Sequence, residues 1–137
     1  MEQPAGNKIT GNPSSHPALS VKWVEDFPDI PLNRNEAYKL RVTSKGVEIE
    51  AITETGVYRA IQTLRQLTEK KGNGIAITGC EITDWPAFRI RGFMQDVGRT
   101  YISTDELKRE IAILARYKIN VFHWHLTENQ AWRLQSK

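Results

Sequence analysis

The C-terminal third of the chain runs apolar, polar, amphipathic, apolar, polar, and that pattern predicts a strand, a helix and a second strand. Ile90 to Val97 is apolar with few alternating polar residues, as in a strand covered on both faces. Polar residues follow it: Asp96, Arg99 and Thr100 fall at its end. Ser103 and Glu106 have the spacing of a capping box, and Asp105 stands in the first turn, where negative charge complements the helix dipole. Leu107, Ile111 and Leu114 then mark the buried face of a helix running to about Tyr117. Val121 to Leu126 is the next strand, and a right-handed crossover places it parallel to the first. It too ends in polar residues: Glu128, Asn129 and Gln130. In parallel α/β arrangements chemistry gathers at such strand ends.

The upstream pattern differs. Residues 1–19 are rich in Pro, Gly, Ser and Asn, show no periodicity and read as a flexible leader. Ser20 to Val24 is a short strand candidate closed by Glu25–Asp26 and by Pro28 and Pro31. Ala37 to Thr43 alternates Tyr38, Leu40 and Val42 with Lys39, Arg41 and Thr43; after the turn Ser44-Lys45-Gly46, Val47 to Ile52 alternates again. The two form a hairpin. Glu54 to Lys70 is a helix with Val57, Ala60, Ile61, Leu64 and Leu67 on its apolar face and Arg59, Gln62, Arg65 and Gln66 opposite. Gly72 and Gly74 end it, Ile75 to Ile82 is a further strand, and Asp84-Trp85-Pro86 breaks the pattern. Residues 20–86 therefore read as an α+β domain, an antiparallel-rich sheet with a helix on one face, and residues 87–137 as a strand-helix-strand piece of a second domain.

Composition narrows the classes. Of 137 residues, 39% are hydrophobic and 26% charged, which is globular and neither disordered nor membrane-like. No apolar run approaches the roughly 20 residues that span a bilayer, so no membrane span is expected. Met1 to Ser20 lacks the apolar core of a secretory signal, which leaves a soluble chain of open compartment. The net charge of +3 is scattered, and its densest spot, Lys70–Lys71, reads as a solvated helix end rather than a nucleic-acid patch. Cys80, the one cysteine, reads as an inert buried thiol.

Candidate chemistry sits at the two strand ends. Arg99 offers a planar fork of donors to vicinal hydroxyls or to a carboxylate, or else braces its loop. Asp96, within an apolar strand, needs a partner, and Arg91 and Arg99 both qualify. His123 and His125 are two apart on a strand and point one way, with Phe122 and Trp124 pointing the other. Three readings stay open for the histidines: a metal pair as in metal-dependent hydrolases, a polar pocket floor, or satisfied interior side chains. No Cys, Asp or His nearby has the spacing of a third ligand, so no metal and no cofactor is assigned. Glu128 suits a substrate contact or a loop cap, and Trp132 suits sugar stacking or packing.

These stretches resemble the opening of the catalytic barrel of glycoside hydrolase family 20, the β-N-acetylhexosaminidases. RGFMQDVGRTYIS is similar to the family's first-strand motif, Arg-Gly, an apolar run, Asp, two small residues and Arg. YKINVFHWHLTENQAWR is similar to its second strand, Asn-x-x-His-x-His-Leu-x-Asp-Asp-Gln-x-x-Arg. EAYKLRVTSKGVEIEAITETGVYRAIQTLRQL resembles the α+β domain preceding the barrel, including its Gly-x-x-x-x-x-Gln-Thr-Leu-x-Gln-Leu helix. The likeness runs from about Glu36 to Gln135 in order and spacing.

The resemblance implies an N-terminal portion of a β-N-acetylhexosaminidase, with a strand-helix-strand fragment of a (β/α)8 TIM barrel. It also implies substrate-binding roles for Arg99, Glu128 and His125, and terminal N-acetylhexosamine residues of glycans as the substrate of the full-length enzyme. Its reaction is a retaining one in which the sugar's 2-acetamido oxygen attacks the anomeric carbon, an Asp steadies that group and an adjacent Glu protonates the leaving oxygen. From Arg89 onward the only Asp-Glu dipeptide is Asp105-Glu106, already used by the capping box, so no catalytic residue is assigned and the chain alone is expected to be inactive. A full barrel needs about 250 residues. Two barrel strands with open edges favour self-association. A periplasmic or secreted location fits a bacterial member of the family. Two positions depart from the pattern: Thr100 stands where a His is usual, and Glu128-Asn129 where Asp-Asp is usual. The rival classes are a non-catalytic carbohydrate-binding or interaction module and a metal-dependent hydrolase using His123 and His125.

Overall fold

The structure is a computed structural model that describes residues 8–9, 18–129 and 131–133. It divides into two compact units, Met1–Ala87 and Phe88–Lys137. In chain order the first holds β1 (Lys8–Ile9), β2 (Ala18–Trp23), a 3-10 turn (Arg34–Glu36), β3 (Tyr38–Thr43), β4 (Gly46–Ala51), α1 (Glu54–Gln66), β5 (Thr68–Lys71), β6 (Gly74–Thr78) and β7 (Cys80–Asp84). The second holds β8 (Gly92–Asp96), α2 (Thr104–Arg116), β9 (Val121–His125), β10 (Thr127–Glu128) and β11 (Ala131–Trp132). No helix among the described residues is long and apolar enough to cross a membrane.

The first unit is α+β. Its main sheet has the order β2-β4-β3-β7, with β2 parallel to β4 and the other pairs antiparallel. Alternation along the hairpin sends Tyr38, Leu40, Val42, Val47, Ile49 and Ala51 to one face, where they form the core with Ala60 of α1. The opposite face carries paired charges: Lys22 with Glu50, and Arg41 with Glu81. Of the leader expected over residues 1–19, Lys8–Ile9 pairs with β6 and Ala18–Leu19 open β2; the rest lies outside the described residues.

Three local expectations are corrected here. Arg59 and Gln62, placed by periodicity on the polar face of α1, are buried, with 7% and 4% exposure. The physical reason at Arg59 is an ion pair across to the 3-10 turn, with Nη2 2.9 Å from Glu36 Oε2. Periodicity reads only apolar burial and is blind to a paired buried charge. The helix also stops at Gln66 rather than Lys70. Thr68 donates its hydroxyl to the Leu64 carbonyl, and Lys70–Lys71 belong to a strand whose hairpin turns at Gly72, in the left-handed region. Finally, the single strand expected over Ile75–Ile82 is two strands in two sheets, separated at Gly79. Cys80 is a free, part-buried thiol packed against the core, and burial raises its pKa.

The second unit is a strand-helix-strand in which β8 and β9 pair in parallel, Gly92 with Val121 through Asp96 with His125. The expected capping box is present, with Ser103 accepting from the Glu106 amide and the Glu106 side chain accepting from the Ser103 amide. Leu107 is buried, whereas Ile111, expected on the buried face, is 46% exposed. Asn120 ties the start of both strands together, donating to Arg89 O at 2.8 Å and accepting from the Arg91 amide at 2.9 Å.

Candidate functional site

The two faces of the β8–β9 pair are chemically distinct because side chains alternate. Phe93 and Phe122 stack at 6.3 Å between centroids on one face. His123 and His125 stack at 6.1 Å on the other, next to Asp96 in register. The shared direction of the two histidines is as the spacing predicts.

Beyond Asp96 the chain turns tightly. Asp96 Oδ1 accepts from the amides of Gly98 at 2.8 Å and Arg99 at 3.2 Å, which fixes the loop backbone. Its other oxygen lies 3.1 Å from Arg99 Nε. Of the two arginines that qualified as partner for Asp96, Arg99 takes that position. Arg91 instead donates to the carbonyls of Lys118 and Phe88.

Across the gap, Glu128 Oε1 lies 2.8 Å from Arg99 Nη2 and 3.2 Å from Nε. One guanidinium thus bridges the two strand-end loops. Its Nη1 has no partner among the described residues. The Arg99 side chain is 73% exposed, so the donors left over face solvent. His125 Nε2 donates to the Thr127 carbonyl at 2.6 Å, because a carbonyl oxygen can only accept.

Arg99 holds the Glu128 carboxyl below the usual carboxylate range, with help from the Asn129 amide. The Arg99 and Gly98 amides, with the charges of His125 and Arg99, lower Asp96 against its desolvation. Glu128 in turn raises Arg99. All three groups are therefore ionised near neutral pH.

Two participants were not singled out from sequence. Arg133 donates from Nε to Val97 O at 2.9 Å and from Nη2 to Gly98 O at 3.3 Å, clamping the first loop to the second. Gly98 is buried beneath Glu128. The only sequence signal for either was its place in the two motifs. Together Gly98, Arg99, Glu128, Asn129, Ala131 and Arg133 line an open cavity of about 410 Å³. Thr100 and Trp132 are exposed, and Gln130 lies outside the described residues.

Asp96, His125 and Glu128 place donor atoms within 4.8 Å of one another, the one such three-residue group among the described residues. His123 is not part of it, so the structure does not assemble the paired-histidine metal site. The donor set does not fit a cation well either. Both carboxylates already pair with the Arg99 guanidinium, whose charge a metal ion would have to displace or tolerate.

Residues 4–85 match the family model for glycosyl hydrolase family 20, domain 2, and residues 88–137 match that for its catalytic domain. The chain is 43% identical to a beta-hexosaminidase of Porphyromonas gingivalis over 99% of its own length and 17% of that protein. It is 40% identical to a beta-N-acetylhexosaminidase of Cellulomonas fimi over 85% of its length and 24% of that protein. The exo-beta-N-acetylglucosaminidase of Vibrio harveyi, solved in complex with N-acetylglucosamine, aligns with a TM-score of 0.74 at 37% identity, covering 85% of this chain and 18% of that one. The chain thus spans 17% to 24% of the length of these relatives.

Proposed function

The chain belongs to glycosyl hydrolase family 20, and on that premise we propose that its second unit supplies one wall of a pocket for a terminal N-acetylhexosamine. The unit is then the opening strand-helix-strand of a (β/α)8 barrel, with the histidine face turned to the barrel axis and the phenylalanine face to the helices. Arg99, Glu128 and His125 are the substrate-binding residues. The observation that carries this reading is the Arg99–Glu128 bridge at 2.8 Å, which joins the ends of two adjacent parallel strands and leaves guanidinium donors beside an ionised carboxylate. Donors and acceptors in that arrangement suit the vicinal hydroxyls of a sugar.

The reaction of the whole protein is retaining hydrolysis assisted by the substrate's own acetamido group. Within this chain no acid-base pair is available for it. Glu106 of the single Asp-Glu dipeptide is held by the Ser103 amide at 3.1 Å and hydroxyl at 2.7 Å. The chain alone binds sugar weakly and does not cleave it. Incubation with a chromogenic N-acetylglucosaminide is expected to give no release above a blank, whereas N-acetylglucosamine shifts the amide resonances of Gly98, Arg99 and Asn129. Turnover by the chain, or a titration that leaves those resonances unmoved, contradicts the reading.

A further inference from the structure

We infer that Gly98 is a positioning residue matched in size to Glu128. The absence of a side chain at 98 lets the glutamate fold over the first loop and take two donors of Arg99 on one oxygen. A Cβ built at Gly98 would lie 3.1 Å from both Cβ and Cγ of Glu128 and 3.2 Å from Asp96 Oδ1. Those contacts are tighter than ordinary packing, so Glu128 would have to retreat.

Conformation is not the reason for glycine here. The glycines with positive φ among the described residues are Gly46 and Gly72, so an alanine at 98 meets no backbone penalty, only Asp96 Oδ1 and the Glu128 side chain across the gap. What lies beyond that side chain is the point of the pairing. Glu128 Oε1 accepts from Nε and Nη2 of Arg99 while Oε2 accepts from the Asn129 amide at 3.2 Å. Both carboxylate oxygens are thereby fixed, and Nη1 is the guanidinium edge left for a ligand. Moving Glu128 by a few tenths of an ångström lengthens its two bonds to Arg99 and loosens the guanidinium, which then keeps, among the described residues, only the contact of its Nε with Asp96 Oδ2 at 3.1 Å.

The ligand half of this inference rests on the sugar-pocket reading; the steric half does not. The test is a cycle of Gly98→Ala and Glu128→Gly in the full 137-residue chain. It is read by the solvent-exchange rate of the Arg99 Nε proton and by titration with N-acetylglucosamine. Gly98→Ala is expected to speed that exchange roughly tenfold, the scale of one net hydrogen bond, and to weaken sugar binding by a similar factor. In the Glu128→Gly background both atoms that a Cβ would meet at 3.1 Å are gone and only Asp96 Oδ1 at 3.2 Å remains, so Gly98→Ala is expected to have a much smaller effect on both quantities. Equal effects in the two backgrounds, or no effect in either, overturn the inference. Should Gly98→Ala alone fail to fold, the double variant must fold, and its failure also overturns the inference. If the parent chain binds no N-acetylglucosamine, the sugar-pocket reading fails, and the exchange cycle still decides the role of Gly98.

Discussion

Arg99 Nη2 and Glu128 Oε1 are 2.8 Å apart, although 29 positions separate the residues in sequence. The contact exists because β8 and β9 run parallel in a register that ends both strands at the same level, Asp96 opposite His125. An exposed ion pair of this kind adds little to stability. Its consequence is orientation. Arg99→Lys keeps the charge but loses the fork, so it is expected to leave the thermal midpoint of the chain unchanged while abolishing the N-acetylglucosamine shifts at Gly98 and Asn129. A melting curve and a resonance titration on the same sample check both halves.

Acid should dismantle the same contact. Glu128 and Asp96 are both lowered in the folded chain, Glu128 chiefly by Arg99 and Asp96 chiefly by the Arg99 amide. The unfolded carboxyls titrate near 4. Between the folded and unfolded pKa values the unfolded chain binds more protons, so stability rises with pH in that window. The contribution is fully present above the unfolded values and is lost as pH falls through the folded ones. Melting and sugar affinity are expected to be flat from pH 7 to about 5 and to decline below about 4. Glu128→Gln should make the acid decline of stability shallower, which melts at a series of pH values would reveal.

In the first unit, Gly56 lies within α1, where glycine normally costs about 1 kcal/mol relative to alanine. Propensity alone therefore predicts that Gly56→Ala stabilises. The packing predicts the reverse, because the new Cβ would sit 2.5 Å from the Ala37 carbonyl oxygen and 3.1 Å from the Ala51 Cβ. Overpacking against backbone costs roughly 1–3 kcal/mol, which equals or exceeds the propensity gain, and a 2.5 Å approach to a carbonyl oxygen lies toward the costly end. Denaturant unfolding of Gly56→Ala is expected to show a net loss of up to about 2 kcal/mol, the difference between those effects.

The strands of the second unit also leave surface that invites other copies. Among the described residues β8 and β9 pair only with each other, and Met94, Trp124 and Ile113 are exposed. Open edges beside apolar side chains favour association. Sedimentation velocity is expected to show species larger than the 15.7 kDa monomer that grow with concentration. A single monomeric boundary throughout would exclude it.

Much of this was legible in the sequence, for reasons that differ by residue. Ser103 and Glu106 announce α2 because a capping box is a local device, complete within four positions. His123 and His125 share a face because a strand has a period of two. Arg59 and Gln62 were misplaced because pattern reading equates polar with exposed, while Arg59 is buried against Glu36. Lys70 and Lys71 looked like a helix end because the run of helix formers continues past Leu67; the pairing of β5 with β6 overrides it. Gly98 carried no readable role at all. Its meaning lies in a contact with Glu128, and no local pattern reports the distance between two loops.

The central claim is that Arg99 and Glu128 form part of a sugar-binding wall, and its most direct test is a crystal structure of the chain grown with saturating N-acetylglucosamine. The account predicts the sugar in the cavity beside Gly98 and Ala131, with a ring hydroxyl within hydrogen-bond distance of Arg99 Nη1 and another near Glu128. Sugar bound elsewhere on the chain, with the Arg99 guanidinium untouched, would contradict it.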